Sequence, residues 1–338
     1  MLAVGGRMKP LAELTHVCKT FTKRRLLSFG RSEGKTVLTD VSLSLGENEV
    51  LGLVGESGCG KTTLSKIILG LEKPTSGTVM VDGKDESTLS KDGFKRLRRV
   101  MQVVFQDPYS SLDPRMSVRQ ILSEPLNIHG LYKGKKERQK ELEKLLASVG
   151  LSAEHLNRYP HEFSGGQRQR IAIARALALD PKILIADEPV SALDVSVQAQ
   201  ILNLLKEIKK ERNLSMLFVS HDFAVARFLC DEIAVMYRGR ILEKAKSEEL
   251  FADLQHPYTE ALFSAVPLPN PKLQKGREPV SMDVNPALEN HPCPFAARCG
   301  YYDKKICDVP FELKEVRPGH LCACAKLPFK DKKSKFAV

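Results

Sequence analysis

Tryptophan is absent and aromatic residues make up only 6% of the 338 residues, absences that by themselves decide nothing about function. The lack of a long apolar run decides more. No stretch approaches the roughly 18 consecutive apolar residues that a membrane-crossing helix needs. The N-terminal MLAVGGRMKP also lacks the apolar core of a signal peptide. Such a chain is expected to stay in the cytoplasm and to meet a membrane only through a partner. The residues ahead of Met8 carry no pattern, so Met8 is an alternative start. Tight C-x-x-C pairs are missing as well, and with them the usual mark of a four-thiolate zinc site.

What is there in excess is positive charge, +11 in all. Charge of that sign raises a nucleic-acid reading. The basic runs, however, are scattered: Lys23-Arg24-Arg25, Lys95 to Arg99, Lys133 to Lys140 and Lys330 to Lys335. Scattered runs read as solvated faces, with attraction to anionic headgroups or to a membrane partner as the second reading. No nucleic-acid partner is expected.

The chain is longer than one average domain and predicts a large α/β unit with a smaller appendage. VLTDVSLSL alternates apolar and polar residues, the period of a half-buried strand. EVLGLVG then leads straight into GESGCGKTT, and TTLSKIILGL continues as an amphipathic helix. KPTSGTVMVDG reads as a glycine-marked hairpin. KKERQKELEKLLASVGL and GGQRQRIAIARALAL read as helices, the second opened by Ser164 as N-cap. KILIADEP and SMLFVSH are short apolar runs of buried parallel strands, with VSVQAQILNLLKEIKKERN as the crossover helix between them. These elements predict a doubly wound α/β core over residues 8–256, interrupted by a helical subdomain at about 107–175. From His256 the composition turns to proline, cysteine and charge, which marks an extension over 257–338.

GESGCGKTT has the form G-x-x-x-x-G-K-[ST], here between a strand and a helix, which is the setting of a phosphate loop. Gly55, Gly58 and Gly60 let backbone amides turn inward around phosphate oxygens. Glu56, Ser57, Cys59 and Thr63 complete the loop, Cys59 reading more as a packing residue than as a reactive thiol. Lys61 supplies a point charge, and Thr62 offers a hydroxyl to Mg²⁺. ILIADE would deliver Asp187 to the metal and place Glu188 as general base beside the terminal phosphate. The alternative is a strand-end carboxylate pair that merely caps the turn before Pro189. Cys18 and Cys230 sit in apolar contexts and read as buried thiols.

GESGCGKTT followed about 110 residues later by FSGGQRQR resembles the ATP-binding cassette (ABC) family of transporter ATPases. The resemblance implies a P-loop NTPase fold with a RecA-like core, binding ATP and Mg²⁺. It places Gln106 of VVFQDP at a lid that touches Mg²⁺. Ser164, Gly165, Gly166 and Gln167 of FSGGQ become the signature that faces ATP held by an opposite subunit. Asp194 of SALD falls in the dimer-contacting loop and His221 of VSH at a switch histidine. Taken singly, Gln106 reads sooner as a surface turn and His221 sooner as a strand-end core histidine. Phe21 falls where the family stacks an aromatic ring on adenine, with Phe29 competing for that place. Two cassettes facing head to tail would be needed for catalysis. DNA-repair relatives carry long coiled coils in the interval before the signature, and translation-factor relatives carry two cassettes; neither feature is present here.

FQDPYSSLDPRM, ADEPVSALDVSVQAQILNLL and HPYTEALFSAVPLPNP resemble, more narrowly, the F-type ATPases of oligopeptide and dipeptide importers. That resemblance implies a D-type sister ATPase or a second copy of the chain, two integral membrane permease subunits and an external solute-binding protein. It places the chain peripherally on the cytoplasmic face of the cell membrane. Nickel and oligosaccharide importers belong to the same group, and a soluble ATP switch with a redox-sensing tail is the alternative of another class.

Five of the eight cysteines follow residue 290, a clustering that suggests metal before disulfides in a cytosolic chain. HPCPFAARCGYYDKKIC and RPGHLCAC resemble the C-terminal module of peptide-importer ATPases, which can hold a 4Fe–4S cluster. The match implies Cys293, Cys299, Cys307 and Cys324 as thiolate ligands, with Cys322 left over. It departs at one extra residue between Cys299 and Cys307 and at Gly300, which replaces a usual proline. Zn²⁺ and an unmetallated tail are the alternatives.

Overall fold

A computed structural model describes residues 9–22, 34–131, 134–264 and 284–326. Met8, Phe29, the Lys23-Arg24-Arg25 run, Lys133 and the basic tail from Lys330 lie outside the described residues. The chain builds two sheets. The first is antiparallel, in the order β2-β1-β4-β5, from β1 (Ala12–Thr22), β2 (Gly34–Leu45), β4 (Ser76–Val81) and β5 (Lys84–Asp85).

The second sheet has eight strands, in the order β11-β12-β10-β9-β3-β8-β7-β6. They are β3 (Val50–Val54), β6 (Met101–Val104), β7 (Ile183–Asp187), β8 (Ser215–Ser220), β9 (Glu232–Tyr237), β10 (Arg240–Lys246), β11 (Lys314–Arg317) and β12 (His320–Cys322). From β9 to β6 neighbouring strands run parallel. β3, β7 and β8 are buried at every position, which is why their sequences are continuous apolar runs rather than alternating ones.

The ten helices used below are α1 (Lys61–Ile68), α2 (Lys91–Val100), α3 (Pro108–Ser111), α4 (Val118–Ile128), α5 (Lys135–Ser148), α6 (Gly165–Leu177), α7 (Val195–Arg212), α8 (Phe223–Leu229), α9 (Ser247–Ala252) and α10 (Pro257–Ser264). Side chains of successive strand residues point to opposite faces, and the large sheet therefore serves two cores. Ile183, Ile185, Leu51 and Leu53 meet α1 and the antiparallel sheet through Leu64, Ile67, Val17 and Leu38. Leu184, Ala186, Val50 and Val54 meet the other core, which includes Ile171 and Ala174 of α6, Leu205 of α7 and Phe223 of α8.

Helices α3 to α6 lie between β6 and β7 in the chain, where the helical insertion is expected. α6 starts as anticipated: the Gln167 amide donates to Ser164 Oγ, and Gln167 Oε1 accepts from the Ser164 amide, a reciprocal cap. Three features escape the sequence reading. β6 is a strand of four residues, β9 and β10 form an antiparallel pair, and the cysteine-rich segment adds β12 to the edge of β10. At that junction Glu243 is fully buried. Its carboxylate accepts from the amides of Gln255 (2.7 Å) and His256 (3.0 Å) and lies 2.8 Å from His320 Nε2.

Candidate functional site

The loop between β3 and α1 needs its glycines for contact as much as for flexibility. A Cβ on Gly55 would stand 2.1 Å from the Met236 carbonyl oxygen of β9. Gly60 has φ +115°, and a Cβ there would stand 2.9 Å from Leu38 Cδ2 of β2. At these two glycines the loop is wedged between two strands. The Lys61 ammonium is folded over the loop, donating to the carbonyls of Gly55 at 2.7 Å and Glu56 at 3.0 Å.

A cleft of about 500 Å³ opens over this loop, lined by Ser57, Gly58, Cys59, Gly60, Lys61, Thr62, Thr63, Gln106 and Glu188. Asp187 ends β7 beneath it. Its carboxyl takes a hydrogen bond from the Thr62 side chain, and burial, then the adjacent Glu188 charge, push it above the usual carboxylate range. Its Oδ1 is buried without a hydrogen-bond partner. One hydroxyl and one under-satisfied carboxylate at the end of a phosphate loop are donors suited to Mg²⁺, which keeps most of its waters. The residues present fit that ion: Thr62 and Asp187 are the donors that would hold it, and Gln106 lines the same cleft as Thr62.

Glu188 carries φ +50°, a left-handed conformation that costs a non-glycine residue about 1 kcal/mol. Its amide donates to the Val219 carbonyl at 2.9 Å, which holds the turn. The turn puts its carboxylate 3.2 Å from His221 Nδ1 and 3.9 Å from Lys61 Nζ. Glu188, His221 and Lys61 thus share one corner. A carboxylate there can accept a proton from a water, and the lysine and histidine can meet anionic oxygens.

The remaining candidates lie elsewhere. Ser164 caps α6, Gly165 and Gly166 open it, and Asp194 precedes α7; with Gln167 these residues are absent from the cleft walls. Phe21 is exposed, with Lys19 Nζ 4.7 Å from its ring centre, and pairs across the sheet with Lys35, which does line the cleft. Cys59 lines the cleft but is buried, and its thiol is pushed up by desolvation, as a packing residue's would be.

A match to the family described as ABC transporter covers residues 38–191. A second, to the oligopeptide/dipeptide transporter C-terminal region, covers residues 242–307. The oligopeptide transport ATP-binding protein AppF of Bacillus subtilis is 47% identical over 94% of this chain and 98% of its own. The chain belongs to the ABC transporter ATPase family. A putative peptide import ATP-binding protein of Brucella ovis is 50% identical over 88% of this cassette and 93% of its own length. Among solved structures, cbiO1 of Clostridium perfringens, part of the cbiONQ ABC transporter complex, gives a TM-score of 0.62 at 30% identity, covering 72% of this cassette and 92% of its own chain. A dimeric ATP-binding cassette in a post-hydrolysis state with ADP and Pi gives 0.60 at 33% identity, covering 70% and 98%. ATP binding and hydrolysis are therefore the activity of this chain.

Sequence reasoning missed Lys35, Thr36, Val37 and Arg238, which complete the cleft walls of the cassette. They arrive by tertiary pairing, the Thr39 amide donating to the Gly239 carbonyl at 2.9 Å. The Arg238-Gly239 turn between two apolar runs was the available signal.

In the cysteine-rich segment, Cys293, Cys299, Cys307 and Cys324 line one cavity of about 570 Å³. Cys322 is buried apart from that lining, beside Glu243 across the β10–β12 pair. No three His, Cys, Asp or Glu side chains among the described residues converge as a metal-holding group. Desolvation pushes the Cys293, Cys299 and Cys324 thiols upward, Cys324 to about 12.

Proposed function

We propose that this cassette is the ATP-hydrolysing subunit of a peptide importer, working in a head-to-tail pair under two permease subunits supplied by an external solute-binding protein. One observation carries the proposal. Glu188, His221 and Lys61 meet over a phosphate loop, whereas Ser164 to Gln167 stand outside that cleft at the start of α6. A site lacking its signature within one chain is completed by a second cassette, so ATP serves as the joint between two subunits. In that joint Glu188 takes the proton of the attacking water, His221 and Lys61 hold the γ-phosphate, and Thr62, Asp187 and Gln106 hold Mg²⁺. Bound Mg²⁺ neutralises the charge that develops on the phosphate oxygens. Asp194 belongs to the facing contact, and Phe21 to the adenine end of the cleft.

Peptide as cargo is supported by the C-terminal match and by the names of the relatives. No described helix is long and apolar enough to cross a membrane, and association with the cytoplasmic face is assigned to the permeases. The test is reconstitution with its permeases, a receptor and a D-type sister or a second copy. ATP-dependent uptake of a labelled peptide is expected. Uptake of nickel or an oligosaccharide instead would move the cargo to another branch, and hydrolysis with no membrane partner would leave the soluble-switch reading.

The quartet around the 570 Å³ cavity supports a second assignment, a 4Fe–4S cluster held by Cys293, Cys299, Cys307 and Cys324 after closure of their spacing. A cluster there supplies a structural or redox centre, not hydrolytic chemistry. Anaerobic purification with iron and sulfide analysis tests it; stoichiometric zinc in a colourless protein would overturn it.

A further inference from the structure

On its side away from the cleft, the phosphate loop is tied to the cysteine-rich segment through Glu56. Arg298 donates from Nη1 and Nη2 to the two Glu56 carboxylate oxygens at 2.9 and 3.0 Å. The Glu56 amide donates to Tyr258 Oη at 3.0 Å, and its carbonyl accepts from Lys61 Nζ at 3.0 Å. Glu56 is therefore held through side chain, amide and carbonyl together. Behind the guanidinium, Tyr237, Tyr258 and Phe295 pack ring against ring, with centroids 4.6 to 5.5 Å apart.

A planar guanidinium that meets a carboxylate with two parallel bonds fixes orientation as well as distance. Glu56 and Arg298 are 242 residues apart in sequence, and no local turn requires them to meet.

We propose that Arg298 is a positioning residue for ATP, holding Glu56 and through it the phosphate loop in the shape that receives a triphosphate. Glu56 is the one acidic residue between Gly55 and Thr63. Left unpaired beside a bound polyanion it would repel the ligand; drawn to Arg298, it is absent from the cleft walls. Lys61 shares the Glu56 carbonyl, so releasing Glu56 also releases the lysine that meets the phosphates. Arg298 directly precedes Cys299 of the cysteine-lined cavity. The pair is thus a direct mechanical link between that cavity and the nucleotide.

This inference rests on nucleotide binding at the loop, and MgATP titration of the unmodified full chain checks that first. With binding established, Arg298→Gln is expected to weaken MgATP about tenfold, the scale of one charge-assisted pair. Arg298→Lys should recover part of the loss, since an ammonium makes one bond where the guanidinium makes two. Glu56→Gln, which leaves the cysteine-rich segment untouched, breaks the same tether but removes the repelling charge, so it should reproduce part of the loss, and the double variant should bind no worse than Glu56→Gln alone. In the assembled ATPase, Arg298→Gln should raise the KM for ATP by a larger factor than it lowers kcat. Unchanged affinity in Glu56→Gln, or losses that multiply in the double variant, would overturn the proposal even if Arg298→Gln fails to fold.

Discussion

Glu188 Oε2 lies 3.2 Å from His221 Nδ1, and the two residues follow directly on β7 and β8, neighbouring parallel strands. Strand pairing delivers the contact, and the left-handed backbone at Glu188 aims it into the cleft. Replacing Glu188 by glutamine keeps the size and the hydrogen bonding to His221 but removes the proton acceptor. Steady-state phosphate release should fall by about a hundredfold or more, with MgATP binding retained within a few fold. Because hydrolysis is blocked while ATP stays bound, the variant should also accumulate as an ATP-dependent dimer in sedimentation. Near-normal turnover would take Glu188 out of its assigned role.

The centre of this site was legible because it is written in contiguous strings. Gly55 to Thr63 sets a backbone path and a charge at once, and Ile183 to Glu188 places two carboxylates at the end of a buried strand. Lys35 and Arg238 were not legible, since they reach the cleft only when β2 pairs back against the β9–β10 turn. β6 is too short for a period to declare itself, and β12 owes its strand state to the edge of β10. Glu56 read only as a residue completing the phosphate loop, because its partner, Arg298, lies in another element altogether. The four thiols of the tail line one cavity, but their spacing depends on loop geometry that no motif specifies.

Gly55 is a packing requirement, and Gly55→Ala tests it. The added methyl would meet the Met236 carbonyl at 2.1 Å, a backbone atom that cannot swing aside. Overpacking of this kind costs about 1–3 kcal/mol. The midpoint of urea unfolding should drop accordingly, and nucleotide affinity should fall with it because the loop is pushed away from β9. Gly58→Ala makes the contrast: no atom lies within 4 Å of its Cβ, and only the strain of φ +79° remains.

Glu86 gives the stability a pH dependence of unusual sign. Burial, followed by the charge of Asp85, raises its carboxyl to about 8, and its Oε1 has no hydrogen-bond partner. Between its ordinary value of 4.5 and about 8 the folded state holds a proton that the unfolded state has lost. Stability from this residue is therefore full below pH 4.5 and declines as pH rises towards 8, by at most about 1.4 kcal/mol per pH unit. Glu86→Gln removes that decline. Urea unfolding at pH 5 and pH 8 should show the variant gaining on the parent protein as pH rises, and parallel pH profiles for the two would refute the assignment.

Glu243 is the polar pin between the large sheet and the cysteine-rich segment. Its carboxylate accepts from two backbone amides and faces His320 Nε2, and both side chains are shielded from water. Removing one member of such a set leaves the other donors buried and unpaired, at about 3–5 kcal/mol. Glu243→Ala should accordingly lower unfolding stability by that amount, with limited proteolysis opening first between residues 314 and 322, where β11 and β12 lose their support. Glu243→Gln keeps the acceptor oxygen for one amide and turns an NH₂ towards the other, so it should cost less than the alanine. His320→Ala strips only one of the three partners and should cost least. A cost for His320→Ala equal to that of Glu243→Ala would show that the histidine, and not the pair of backbone amides, anchors the segment to the sheet.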